Sequence, residues 1–243
     1  MSPGQYSPIP EGEYPPMERL HPTLHGVLQS IENAATAAGR PHGARLLAVS
    51  KTRPAEAVRE LASAGQRAFG ENYVQEGIAK IRALAGLGLE WHLIGHLQSN
   101  KCREAAEHFD WVQSVDRVKL VDALDRARPD ALAPLNVLVQ VNVDGEAGKS
   151  GCTPADVPAL ADRIGASPRL RLRGLMSIPE PHPDPGHRRE SFRQLKSLYD
   201  AVAARHAGVD TLSMGMSEDF ALAIAEGSTL VRVGTALFGT RGQ

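Results

Sequence analysis

Long apolar runs are missing from this chain of 243 residues. Although 42% of it is hydrophobic, no stretch approaches the roughly 18 consecutive apolar residues that a membrane-spanning helix needs. An excess of one charge is missing as well. Lys+Arg is 27 and Asp+Glu is 28, a formal charge of −1, which leaves no basic field to grip a phosphate backbone and argues against a nucleic-acid partner. Cysteine is nearly absent: Cys102 and Cys152 form no CxxC pair and cannot build a disulfide framework, so a reducing cytoplasm is expected. Lysine is scarce too, with six against 21 arginines.

The first 18 residues carry five prolines and three glutamates. They lack the basic and apolar regions of a secretory signal, and they are acidic where a transit peptide is Arg-rich. They read as a disordered Pro-rich tail (1–18), with the folded unit over 19–243 starting near Leu20.

Short apolar runs bounded by turn signals then recur at Leu46–Ser50, Ala68–Glu71, Trp91–Gly95, Trp111–Val115, Asn136–Val143, Leu172–Ile178, Thr211–Gly215 and Leu230–Gly234. Their starts lie roughly 20 to 40 residues apart, enough chain for a strand, a helix and two loops. Between them, apolar residues take helical spacing, as in Ala55–Ala64 and Arg188–His206, and Leu24–Ala38 predicts an extra helix before the first strand. Strict alternation implies a parallel sheet, and eight units imply closure into a (β/α)8 TIM barrel. A doubly wound sheet would advertise a Gly-rich first turn; here the first strand runs into Ser50-Lys51-Thr52-Arg53-Pro54.

Lys51 stands out among the lysines. It ends the run Leu46-Leu47-Ala48-Val49 at the carboxyl end of a barrel strand, the face that carries active sites. Desolvation there frees an amine to attack a carbonyl and form a Schiff base; the bland reading is a lysine that snorkels to water or pairs with Glu71. Lys80, Lys119 and Lys196 fall on helical segments and read as solvated surface. The loops after the last two strands, Ser213-Met214-Gly215-Met216-Ser217 and Arg232-Val233-Gly234-Thr235, are small and Gly-containing, as a phosphate site requires. Ser217 reads as a helix N-cap, but Glu218 and Asp219 fill that first turn with negative charge. The N–H groups of 213–215 and 234–235 are therefore the better phosphate donors, against a plain reading of a capped helix and a tight turn.

Other signals are decoys. Gly148-Lys149-Ser150 resembles the end of a P-loop, but Val143 stands where that motif needs glycine. His92 and His96 straddle a strand and its exit turn, so they share no helical face for a metal. His182 and His187 sit in the Pro-rich stretch Pro179–His187, expected to be a loop with both rings solvated.

Six blocks in order carry a resemblance: Ala48-Val49-Ser50-Lys51-Thr52, Phe69-Gly70-Glu71-Asn72-Tyr73, Trp91-His92-Leu93-Ile94-Gly95-His96-Leu97-Gln98-Ser99-Asn100-Lys101, Gly174-Leu175-Met176-Ser177, Leu212-Ser213-Met214-Gly215-Met216-Ser217 and Arg232-Val233-Gly234-Thr235-Ala236-Leu237-Phe238-Gly239. From about Leu20 to Gly239 the chain resembles the pyridoxal phosphate homeostasis protein family, itself similar to the barrel half of bacterial alanine racemases. The resemblance implies a fold-type III barrel binding pyridoxal 5′-phosphate (PLP), with Lys51 holding the cofactor as an internal aldimine. It implies Arg232 at the pyridine nitrogen, Asn72 near the ring, and Ser213, Met214, Gly234 and Thr235 at the phosphate. A guanidinium keeps its proton, so Arg232 would leave the ring nitrogen unprotonated and the cofactor a weak electron sink.

Racemisation needs acids on both faces of the α-carbon. Alanine racemases take the second from a tyrosine of a separate C-terminal domain, which this chain is expected to lack. The implied role is therefore a cytoplasmic, monomeric carrier that buffers PLP, without catalysis, and supplies PLP-dependent apoenzymes. Two readings stay open beside it: a racemase or lyase using Lys51 and Tyr73, and a class I aldolase-like enzyme in which Lys51 attacks a sugar-phosphate carbonyl.

Overall fold

The computed structural model describes residues 19–239 except Pro41, Ala147 and Pro181; the Pro-rich tail expected over 1–18 lies outside the described residues. All eight apolar runs become strands: β1 (Arg45–Val49), β2 (Ala68–Glu71), β3 (Glu90–Leu93), β4 (Trp111–Val115), β5 (Leu135–Gln140), β6 (Leu170–Met176), β7 (Thr211–Ser213) and β8 (Leu230–Val233). They pair in sequence order, all parallel, and β8 returns to β1 to close the barrel. Its seam is in register from Arg45 opposite Leu230 to Ala48 opposite Val233.

The intervening helices are α2 (Ala55–Ser63), α3 (Val74–Ala83), α4 (Cys102–His108), α5 (Val118–Ala127), α6 (Val157–Gly165), α7 (Pro185–Ala203) and α8 (Phe220–Ala225), followed by the short α9 (Thr235–Phe238). Each lays its apolar stripe on the outside of the sheet; in α2 that stripe is Ala57, Val58, Leu61 and Ala62. The extra helix is α1 (Leu20–Ala37). It buries Leu20, Leu24, Val27, Ile31 and Ala35 against α2, α8 and α9, so it covers the seam between the first and last units.

The main core is thus the shell between sheet and helices, where Leu46, Ala48, Phe69, Val112 and Val231 face outward. Inside the barrel the apolar filling is sparse. Leu47, Ala68, Ile94 and Leu230 form one cluster with Val49 against it, and Trp111, Leu138 and Met176 form another. Between them lie His92, Gln113, Ser213 and Arg232, all buried. Both cysteines are buried and free, and no helix among the described residues is long and apolar enough to cross a membrane.

Three local expectations change. The stretch expected as loop up to His187 turns helical at Pro185, because the Asp184 carboxylate accepts the Gly186 N–H at 2.9 Å and Pro185 suits the first helical position. His187 is therefore helical, and its ring stacks on His182 with centroids 4.2 Å apart. Ser217 caps no helix: α8 starts at Phe220, and Asp219 folds back to accept the Met216 N–H at 2.7 Å. Lys80, expected at the surface, is only 5% exposed.

Candidate functional site

The carboxyl ends of the strands open onto a cavity of about 880 Å³, lined by Lys51, Asn72, Arg232, Gly234 and Thr235 among others. Its apolar floor is Val49 and Ile94; Gln140 and Ile178 add the ends of β5 and β6. Ser213 and Met214 lie beneath it, fully buried.

Lys51 is presented by an unusual backbone. Thr52, the next residue, has φ 62°, a left-handed conformation that disfavours β-branched side chains. A buried ionic cluster holds this turn. Lys80 Nζ donates to the Ser50 carbonyl at 2.6 Å, to Glu71 Oε1 at 2.7 Å and to Glu76 Oε1 at 2.8 Å. Ser50 Oγ donates to Glu71 Oε1 at 2.6 Å, and the Thr52 N–H to Glu76 Oε1 at 2.5 Å. Both neighbours of Lys51 are thereby tied to α3. Glu71 Oε1 is engaged by Lys80 and by Ser50 Oγ in this cluster. Burial pushes the Glu71 carboxyl up to about 7, against the pull of Lys80.

On the neighbouring strand, Arg232 lies opposite Leu47 and is 3% exposed. Its Nη1 donates to Ser213 Oγ at 2.8 Å and its Nη2 to the Ser177 carbonyl at 2.7 Å. Burial lowers its pKa to about 10, still cationic at neutral pH. Asn72 is seated by a close approach: a Cβ on Gly95 would stand 2.1 Å from the Asn72 carbonyl oxygen.

Gly234 and Thr235 open α9, and first-turn N–H groups have no i−4 carbonyl of their own. The Ala236 N–H reaches Ser217 Oγ at 3.4 Å, which brings the loop after β7 beside this turn. The two remaining expected phosphate residues stand differently. Ser213 Oγ is engaged by Arg232 and by Gln113, and the Met214 N–H donates to the Leu230 carbonyl at 3.2 Å.

Sequence reasoning missed part of this wall. His96 lines the cavity, bonded to Ser150 Oγ at 3.0 Å. Arg188, on α7, also lines it, with its Nε buried and lacking a hydrogen-bond partner among the described residues. The strand-end rule that singled out Lys51 would have found Ile94, Gln140 and Ile178; nothing local marks Arg188. Among the described residues no group of His, Cys, Asp and Glu could hold a metal.

Residues 27–242 match the family model described as alanine racemase, N-terminal domain. The pyridoxal phosphate homeostasis protein of Pseudomonas aeruginosa is 54% identical over 226 residues, 93% of this chain and 97% of that one. That of Escherichia coli K12 is 50% identical over 229 residues, with 93% and 98% covered. This chain belongs to the pyridoxal phosphate homeostasis protein family. Within solved structures, PipY of Synechococcus elongatus with PLP bound is 38% identical at a TM-score of 0.79, covering 90% of this chain and all of that one. Alanine racemase of Corynebacterium glutamicum shares the fold at 15% identity and a TM-score of 0.67, with 62% of its length covered. The chain thus keeps the racemase barrel, with Lys51 in the turn after β1 and Arg232 on β8, the two strands that close it.

Proposed function

We propose that the chain binds pyridoxal 5′-phosphate, held covalently through Lys51 Nζ, and keeps the free aldehyde low while remaining able to supply PLP-dependent apoenzymes. The observation that carries this reading is the placement of Lys51, in the turn after β1, and Arg232, on the adjacent β8, at one cavity mouth beside the glycine turn at Gly234. The donor set fits the cofactor: an amine for an aldehyde, a buried cation for a ring nitrogen, and a first-turn amide pair for a phosphate. Arg188 Nε, buried and lacking an acceptor, adds a further cationic donor on the same wall. When bound, the cofactor supplies an electrophilic carbon and a conjugated ring.

The protein's own groups do the rest. The turn held by Lys80, Glu71 and Glu76 presents the Lys51 amine, and Asn72 lines the wall on the β2 side. Gly234 and Thr235 receive the phosphate, with Ser217 beside them. Ser213 acts from below, by fixing Arg232. Arg232 donates hydrogen bonds only, so it leaves the ring nitrogen without a proton and restrains carbanion chemistry.

A non-catalytic role rests on Tyr73. The racemase reading needs its phenol as a second acid facing Lys51. Tyr73 instead precedes α3 with 60% of its surface exposed, and the cavity is lined without it. The relatives' name, homeostasis protein, agrees with a carrier.

The test is chemical trapping. Borohydride reduction of protein incubated with PLP, followed by peptide mapping, is expected to place the pyridoxyl tag on Lys51, and Lys51→Ala is expected to lose the visible imine band while folding normally. A tag on another lysine overturns the assignment. Racemisation of L-alanine at an enzymatic rate overturns the carrier role.

A further inference from the structure

We propose that Gln113 and His92, in the sealed interior of the barrel, are positioning residues for Arg232, acting through one unbroken hydrogen-bond chain with a fixed sense.

The sense follows from the chemistry of the end group. A guanidinium has only donors, so where Arg232 Nη1 meets Ser213 Oγ at 2.8 Å, the hydroxyl must accept. Its single proton then goes to Gln113 Oε1, 2.7 Å away. With that oxygen committed, the Gln113 amide group faces His92 Nδ1 at 2.9 Å and donates to it. Nδ1 therefore carries a lone pair, and the ring proton sits on Nε2, from which it is donated to Glu90 Oε1 at 2.8 Å. Glu90 Oε1 also accepts from Arg45 Nη2 at 2.6 Å.

Two cations thus bracket a chain that starts at the cavity and ends at the opposite mouth of the barrel. Ser213, Gln113 and His92 have no exposed surface, so no water competes for these bonds. Trp111 stacks on the His92 ring at 4.9 Å and closes it from the β4 side. Reversing any one link would set donor against donor or acceptor against acceptor in the buried interior, which makes the arrangement all-or-none.

The groups facing His92 are Glu90 on its own strand, Arg45 on β1 and Asp110 before β4. Burial outweighs the two carboxylates and keeps the ring neutral, as its role as acceptor for Gln113 demands. What the chain does is hold Ser213 Oγ as an acceptor and so fix the plane of the guanidinium. Only its consequence for the cofactor rests on the function proposed above.

Gln113→Glu tests it, because glutamate keeps the shape and accepts from Ser213 but has no proton for His92. Nitrogen-15 NMR of the cofactor-free protein, with His92→Phe to identify the signals, is expected to show the Nε2–H tautomer in the wild type. In Gln113→Glu, with the new carboxyl ionised, Nδ1 is expected to gain a proton while Nε2 keeps the one it gives to Glu90, so the ring becomes an imidazolium. PLP affinity is expected to fall about tenfold, because the added buried charge disturbs the chain that fixes Arg232. Wild-type His92 protonated at Nδ1, or unchanged in Gln113→Glu, overturns the chain. Unchanged PLP affinity and an unchanged pH titration of the visible band overturn the positioning role even if the NMR result holds. Should the buried glutamate prevent folding, Ser213→Ala asks the same of the cofactor end, and wild-type affinity in that variant is equally fatal. Failure of the function itself reads differently, as a wild-type protein with no tag on Lys51.

Discussion

Lys51 and Lys80 are both lysines near one strand end, yet substitution should separate them. Lys51 is only partly buried at the cavity wall, so Lys51→Ala is expected to remove the proposed covalent anchor with little loss of core packing. Lys80 donates to Glu71, Glu76 and the Ser50 carbonyl at once. Lys80→Met strands two buried carboxylates and is expected to cost about 3–5 kcal/mol, read by urea unfolding; a loss below about 1 kcal/mol would mean that the cluster is not a stabilising unit. The sequence showed Lys51, because a cation closing an apolar run is anomalous within five residues. It hid Lys80, whose Glu76 partner looks like an ordinary exposed i,i+4 pair and whose Glu71 partner lies on another element.

The same cluster has a pH signature. Glu71 is held near 7 when folded and returns to the ordinary carboxylate range when unfolded, so the native state binds the extra proton between those values. Its contribution must therefore fall as pH rises from about 4.5 to about 7. The unfolding free energy of wild type minus that of Glu71→Gln, measured at pH 5 and at pH 7.5, is expected to decrease. An increase would mean that Lys80, and not burial, dominates that carboxyl.

At the scale of elements, the turns make the site and the strands only carry it. The β3 exit crosses the β2 exit so closely that Gly95 lies against the Asn72 backbone. Gly95→Ala is expected to displace Asn72 and weaken PLP binding about tenfold or more while leaving the helical circular dichroism in place. Retained affinity would show that Asn72 plays no part in binding. Strand positions were legible because each is a short apolar run between turn signals, and β2 and β4 match their runs end to end. Helix starts were less so. Asp184 and Pro185 are an N-cap and first-turn pair hidden in a proline cluster, and Ser217 looks like a cap while Asp219 turns back on Met216. Local rules name residues that can end a helix; tertiary contacts choose among them. The polar chain inside the barrel was illegible for a similar reason, since His92, Gln113 and Ser213 come from three separate strands.

For the whole molecule, exposed apolar side chains bear on assembly. Leu28, Leu87, Val118 and Leu132 sit on separate elements, while Ile178 and Met216 line the cavity. With the exposed Tyr73, which precedes α3, these side chains are scattered among the described residues and form no dimer-sized patch there. Sedimentation is expected to give one chain of 26.1 kDa, with or without PLP; a stable species of twice that mass would overturn this.

Barrel closure also sets an order of events during synthesis. Lys51 follows β1 and is synthesised well before Arg232 of β8 and the Gly234–Thr235 turn that line the same cavity. On the function proposed above, a nascent chain therefore carries the anchoring amine before the pocket that would make it selective. On the same proposal, vitamin capture waits until the last strand zips against the first, so loading would report that the barrel has closed.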